Sequence, residues 1–146
     1  MDIRPGALVD GRFRVLARVG EGGMGTVWSA RSENDGRDVA LKILKASGDD
    51  QLRRLLREAR IAQRLEHPNV VSVDEILASS SASPVLVMEL LSGESLRERI
   101  SRIGALTPAD AARVVADAAA AAAAAHALGI VHRDLKPENV FIHHDG

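Results

Sequence analysis

The densest concentration of reactive side chains in this sequence is the run His132-Arg133-Asp134-Leu135-Lys136-Pro137-Glu138-Asn139. It lies between the apolar stretches Gly129-Ile130-Val131 and Val140-Phe141-Ile142, an unusual setting for plain surface loop. A carboxylate at Asp134 can accept the proton of a hydroxyl group or orient that hydroxyl for attack. Lys136, two residues on, can neutralise a phosphoryl group in transit. Asn139, five residues after Asp134, can offer its amide oxygen to a hard cation.

Three further features lie nearer the N-terminus. Gly20-Glu21-Gly22-Gly23-Met24-Gly25 has the G-x-G-x-x-G spacing. A dinucleotide fingerprint requires a helix directly after the glycines, and here Thr26 to Arg31 reads as a strand. The glycines are then either an ordinary hairpin turn or a loop folded over a phosphate chain. In the second case backbone N–H groups approach phosphate oxygens with no Cβ in the way. Lys42, in Val39-Ala40-Leu41-Lys42, shares a strand face with Ala40. A small residue there leaves room for a flat base, and an ammonium group beyond it can meet phosphates; a solvated strand lysine is the plain alternative. Glu58 lies mid-helix in Leu56-Arg57-Glu58-Ala59-Arg60, where alone it is a surface charge. If that helix packs against the Lys42 strand, Glu58 can pair with Lys42 and hold it extended, fixing geometry more than adding stability.

The elements that must position these groups are legible. Phe13, Val15, Ala17 and Val19 alternate with polar residues, then the glycines, then Thr26 to Arg31, which makes a hairpin. Asn34-Asp35-Gly36 turns the chain into a third strand over Asp38–Leu44. Ser47 to Asp50 offers capping groups, and Leu52, Leu55, Leu56, Ala59, Ala62 and Leu65 follow at helical spacing until His67-Pro68 ends the helix. Strands are expected over Val70–Leu77 and Pro84–Glu89, separated by a polar loop over Ser79–Ser83, and a short helix over Ser95–Ile103. Thr107-Pro108-Ala109-Asp110 starts a long helix that Gly129 closes. The Ala118–Ala125 tract suits a helix that packs weakly.

The chain has 146 residues with a net charge of −1, so no polybasic field points to nucleic acid or to a membrane surface. With 46% hydrophobic and 27% charged residues, wholesale disorder is excluded. The absence of cysteine excludes disulfides, thiolate zinc sites and cysteine nucleophiles. The N-terminus has no apolar signal region, and the alanine tract is too short and weakly apolar to span a bilayer. Two Phe, one Trp and no Tyr make for a thin, marginally stable core.

Taken in order, the glycine loop, Val-Ala-Leu-Lys, the helix glutamate and His-Arg-Asp…Asn resemble a eukaryotic-like Ser/Thr protein kinase of the type common in bacteria. The resemblance runs from about Phe13 to Ile142. His67-Pro68-Asn69 and Val87-Met88-Glu89 are further landmarks, and Lys136 after Leu135 favours a Ser/Thr over a Tyr kinase.

The resemblance implies an α+β fold: a kinase small lobe, with an antiparallel sheet and one helix, followed by an incomplete helical large lobe. Its expected boundaries are a lead-in over 1–12, small lobe and hinge over 13–91, and the start of the large lobe over 92–146. The family's roles imply an ATP site formed by Val19, Gly20, Gly22, Gly23, Gly25, Val27, Ala40 and Lys42. Met88 would be the gatekeeper, Glu89 and Leu91 would offer backbone hydrogen bonds to the base, and Phe141 would be its floor. Lys42 would hold the α/β-phosphates and pair with Glu58. Asp134 would be the catalytic base, Lys136 the γ-phosphate partner and Asn139 a Mg²⁺ ligand. Arg133 implies control through a phosphorylated activation loop.

The family pattern continues with an Asp-Phe-Gly aspartate about a dozen residues past Asn139, a second Mg²⁺ ligand that this sequence does not reach. His143-His144-Asp145-Gly146 reads as a solvated turn. The expectation is a truncated kinase domain, inactive alone, acting in its intact form on protein Ser/Thr hydroxyls in the cytoplasm. A non-catalytic nucleotide-binding or interaction fragment is the alternative. An apolar helix face left exposed is expected to favour aggregation.

Overall fold

The computed structural model describes residues 3–22, 25–45, 48–78, 83–132 and 134–144. Its elements run β1 (Leu8–Val9), β2 (Phe13–Gly22), β3 (Gly25–Ser32), β4 (Asp38–Leu44), α1 (Asp49–Ala62), β5 (Val73–Leu77) and β6 (Val85–Glu89). Then follow β7 (Gly93–Ser95), α2 (Leu96–Ile103), α3 (Pro108–Ala127), a 3-10 turn (Pro137–Asn139) and β8 (Phe141–His143). The chain divides into two compact units. The first holds residues 1–64 and 71–90; the second holds 65–70 and 91–146.

The first unit is a six-stranded antiparallel sheet in the order β1-β2-β3-β4-β6-β5, with α1 against β5. Val9, Phe13, Val15, Ala30, Val39, Leu41, Val85 and Val87 form its core, with Trp28 and Ile43 packed beside them. The β3 and β4 strands appear where the alternation places them, since Val39, Leu41 and Ile43 line one face.

β2 departs from simple alternation. Its pairing with β3 shifts between Val15 and Ala17 and again between Arg18 and Gly20, leaving Leu16 and Val19 as extra residues. Each bulge breaks the alternation, so Phe13 and Val15 are buried whereas Ala17 and Val19, which would follow them on one face, are exposed. The Ser29 hydroxyl patches the first bulge, accepting from the Ala17 N–H and donating to the Ala17 carbonyl, both at 3.2 Å.

The second unit is built on α2 and α3. Both carry the expected start signals. Ser95 Oγ accepts from the Glu98 N–H while Glu98 receives the Ser95 N–H, a complete capping box. Thr107 Oγ1 accepts from the Asp110 N–H at 3.1 Å, with Pro108 in the first turn. Gly129 ends the α3 region at φ 74°, a left-handed conformation that favours glycine. Residues 65–70 belong to this unit, and the Asn69 side chain donates to the Asp117 carbonyl of α3 at 3.4 Å.

Burial is shallow here. Ala125 is the buried apolar residue of α3, while Val115 is 67% exposed. Leu96, Val114, Ala118, Leu135 and Val140 line an apolar groove of about 300 Å³. The alanine tract explains this: methyl side chains sustain a helix yet fill little volume. The helix start expected at Ser47 and the loop over 79–82 lie outside the described residues, as does the Asp145-Gly146 turn; Gly48 caps α1 without a side-chain bond.

Candidate active site

In the first unit, strand register decides which side chains share a face. Directly paired residues of antiparallel strands project to the same side. One row runs Gly20, Val27, Lys42, Leu86; the next runs Ala17, Ser29, Ala40, Met88. Val27, Ala40, Lys42 and Met88, all expected near the nucleotide, therefore occupy two adjacent rows on the face opposite Leu41. Ala17, Ser29 and Leu86 join that face and were not singled out by sequence spacing. The register supplies them, and the β2 bulges hide it. Val19 sits at the second bulge, 57% exposed.

The glycines differ in why they are glycines. A Cβ on Gly25 would lie 1.9 Å from the Ile43 carbonyl oxygen, and its φ is 146°, so the backbone itself demands glycine. A Cβ on Gly20 would meet nothing within 4 Å, which leaves the end of the Lys42 row open to a ligand. Gly22 pairs with Gly25 at the end of the hairpin, while Gly23 lies outside the described residues. Glu21 accepts from Arg18 and, at 3.5 Å, from Lys45, on the face opposite Lys42.

Lys42 is half-buried, and burial alone pushes its ammonium below the ordinary lysine range. The expected Lys42–Glu58 ion pair is not formed: no contact within 4.0 Å joins them, and no acid offsets the desolvation of Lys42. The helix geometry gives the reason. α1 buries Ala59, and Glu58, about 100° round the helix from it, faces solvent. At the end of β6, the Glu89 N–H donates to the Ser72 carbonyl at 3.2 Å, and Glu89 Oε1 accepts from the Ser72 N–H at 2.8 Å. Glu89 can therefore offer a base only its carbonyl oxygen. Leu91 begins the second unit and is half-buried.

In the second unit, the reactive cluster is assembled as its spacing suggests. Asp134 Oδ2 lies 3.0 Å from Lys136 Nζ and accepts from Asn139 Nδ2 at 3.1 Å. The same Nδ2 donates to the Asp134 carbonyl at 2.8 Å, and the Asp134 N–H donates to His132 Nδ1 at 3.3 Å. The Lys136 ammonium, followed by the Asn139 amide and the charge of His132, holds the Asp134 carboxyl below the usual carboxylate range. Asp134 is thus ionised near neutrality, and its side chain is exposed. Arg133 lies outside the described residues.

The scaffold beneath this cluster comes from β7 and α2. Gly93, Glu94 and Ser95 pair with His143, Ile142 and Phe141, and the Leu96 N–H donates to the Val140 carbonyl at 2.7 Å. A Cβ on Gly93 would lie 2.0 Å from the Ile142 carbonyl oxygen, so glycine is required there too. Glu94 accepts from Arg99 and Arg102, which ties α2 to this ribbon. Phe141 is partly exposed on β8. Sequence reading missed β7, whose three residues carry no strand pattern of their own.

Comparison with known proteins adds to this geometry. A model of the protein kinase domain matches residues 13–146. The chain belongs to the protein kinase family. It is 39% identical over 144 residues to the serine/threonine-protein kinase PrkC of Bacillus subtilis, which covers 97% of this chain and 22% of that protein. It is 43% identical over 144 residues to the serine/threonine-protein kinase pkn2 of Myxococcus xanthus, covering 96% of this chain and 17% of that one. It is 37% identical over 149 residues to the serine/threonine-protein kinase PknA of Mycobacterium tuberculosis, covering 97% of this chain and 35% of that one. Among solved structures, the kinase domain of Mycobacterium tuberculosis PknI matches with a TM-score of 0.84 at 27% identity, over 99% of this chain and 59% of that one. The chain thus spans about a third or less of the length of these curated relatives. The α+β kinase fold expected from the motifs is the fold the chain adopts.

Proposed function

We propose that this chain supplies the nucleotide-holding and hydroxyl-orienting parts of a serine/threonine protein kinase, which transfers the γ-phosphoryl group of ATP to Ser or Thr hydroxyls of proteins. The observation that carries this reading is the ionised Asp134 carboxylate, bracketed by Lys136 and Asn139.

Asp134, held ionised by its neighbours, is a weak base by its pKa alone. Its work is to align the acceptor hydroxyl and take its proton as the P–O bond forms. Lys136 faces the charge on the transferring group. Lys42 gains a counter-charge when it meets polyphosphate, which reverses the desolvation that now lowers its pKa. Glu58, exposed here, is assigned the role of holding Lys42 extended in the nucleotide-bound state. Val19, Val27, Ala40, Met88, Glu89, Leu91 and Phe141 are assigned to the adenine, and Gly20, Gly22, Gly23 and Gly25 to the phosphate chain.

The donor set fits Mg²⁺, which neutralises phosphate charge when bound. Both acceptors of Asn139 Nδ2 are oxygens of Asp134, which fixes the amide and leaves Oδ1 as a hard oxygen ligand. By the family resemblance, an Asp-Phe-Gly aspartate would supply the second protein ligand. Use of ATP points to the cytoplasm. No helix among the described residues is long and apolar enough to cross a membrane.

A second reading, nucleotide binding without transfer, is favoured by one observation: Lys42 lacks its acidic partner. Titration of the chain with a fluorescent ATP analogue, alongside a radiolabel transfer assay, separates the two. Binding that is lost in Lys42→Met, accompanied by Asp134-dependent transfer, supports the kinase reading. The same binding with no transfer from the protein at its natural length supports the second.

A further inference from the structure

α1 and the turn after it carry a stripe of exposed arginines, most of which have no acidic partner among the described residues. Arg53, Arg57, Arg60 and Arg64 follow at intervals of four, three and four, and the Cα atoms of the three that are helical, Arg53, Arg57 and Arg60, fall within an arc of about 60°. Arg64 lies in the turn two residues past Ala62, the last residue of the helix. All four are exposed, on the side away from Ala59. Several arginines elsewhere are matched: Arg12 with Asp10 and Glu75, Arg14 with Glu33, Arg31 with Asp38, Arg37 with Asp74, and Arg99 and Arg102 with Glu94. Within the stripe, Arg53 reaches Asp50 at 3.8 Å, and among the described residues Arg57, Arg60 and Arg64 have no ion-pair or hydrogen-bonding partner. Glu58, the one acid within the span 53–64, projects from another side of the helix.

We infer that this stripe docks a phosphorylated segment of a separate protein. Neighbours three or four apart on a helix have Cβ atoms about 5–6 Å apart, so two guanidinium forks can converge on one group between them. A phosphoryl dianion has the charge and the three acceptor oxygens to satisfy two forks, whereas a carboxylate is satisfied by one. The stripe contains arginine throughout and no lysine, which matches planar bidentate recognition. Asp49 and Asp50 occupy the first turn of α1, so an anion is directed along the stripe and not to the helix end. A lipid surface fits less well, since the apolar side of α1 is turned toward the sheet and cannot insert. A nucleic acid fits less well, since α1 carries no aromatic residue for base stacking.

The test is a fluorescence-anisotropy titration of the 146-residue chain with a labelled Gly/Ser peptide bearing phosphoserines four residues apart. Arg57→Gln/Arg60→Gln should weaken binding by about tenfold for each arginine removed. Arg57→Lys/Arg60→Lys should recover part of it, and Arg113→Gln on α3 should leave it unchanged. Hydrogen exchange of the wild-type chain with and without peptide should show new protection on α1, a readout that does not depend on any variant folding. Equal affinity in the glutamine variant, protection elsewhere than α1, or tighter binding to phosphatidylserine vesicles or to a single-stranded oligonucleotide would overturn the inference. None of these readouts involves ATP, so failure of the kinase reading and failure of this one are distinguishable.

Discussion

The side-chain amide of Asn139 bridges two oxygens of one residue, the Asp134 carbonyl at 2.8 Å and the Asp134 carboxylate at 3.1 Å. Asp134 is thereby held at both its backbone and its tip, although the residue is exposed. With Lys136 on the same carboxylate oxygen, a solvent-facing aspartate acquires a fixed orientation and a depressed pKa.

Lys136 is the largest cause of that depression, so Lys136→Met should raise the Asp134 pKa toward its ordinary value, and Asn139→Ala should raise it less. Carboxyl ¹³C NMR titration reads both. In a transfer assay, activity that requires ionised Asp134 is lost as pH falls through this pKa. The acid limb of the pH profile should therefore move upward in Lys136→Met. An unmoved titration would show that the Lys136–Asp134 contact is not made in solution.

Lys42 should titrate below the ordinary lysine range, because burial disfavours its charged form. Addition of ADP should move it back up. NMR of reductively methylated lysines provides the measurement. A Lys42 titration in the ordinary lysine range contradicts its half-buried placement on the sheet face.

Gly25→Ala should destabilise the fold by about 1–3 kcal/mol through backbone strain, since its Cβ would meet the Ile43 carbonyl. Gly20→Ala should cost less than about 1 kcal/mol and instead impair nucleotide binding. Urea unfolding of the two variants gives the comparison. Equal losses would mean that the two glycines are not distinguished by their surroundings.

Glu94 is held at about 2, down from 4.5, by Arg102 and Arg99. A carboxylate with a depressed folded pKa adds stability that is complete above 4.5 and lost as pH falls toward 2. Glu94→Gln should therefore flatten the acid-unfolding profile of the chain over that window while leaving the profile above pH 6 parallel to wild type. Circular dichroism across pH shows whether it does.

The sequence read best where local pattern and tertiary demand agree. Val39, Leu41 and Ile43 announce β4 by alternation, and Thr107, Pro108 and Asp110 announce α3 by capping chemistry. Asp134, Lys136 and Asn139 meet because they lie within six residues, so their encounter needs no long-range packing. Other features depended on partners distant in sequence. The two bulges of β2 exist only in its register with β3, and they move Ala17 and Val19 out of the alternation. β7 exists because β8 pairs with it. The Lys42–Glu58 pair requires a particular seating of α1, and the helix instead leaves Glu58 in solvent, where an ion pair contributes little.

The most direct test is transfer of ³²P from γ-labelled ATP with Mg²⁺ to a protein substrate, using the protein at the length its own cells make. The wild type should label Ser and Thr, and Asp134→Asn should lose about two to four orders of magnitude in rate while still binding ATP. Labelling that persists unchanged in Asp134→Asn would contradict the assignment of this cluster as the phosphoryl-transfer site.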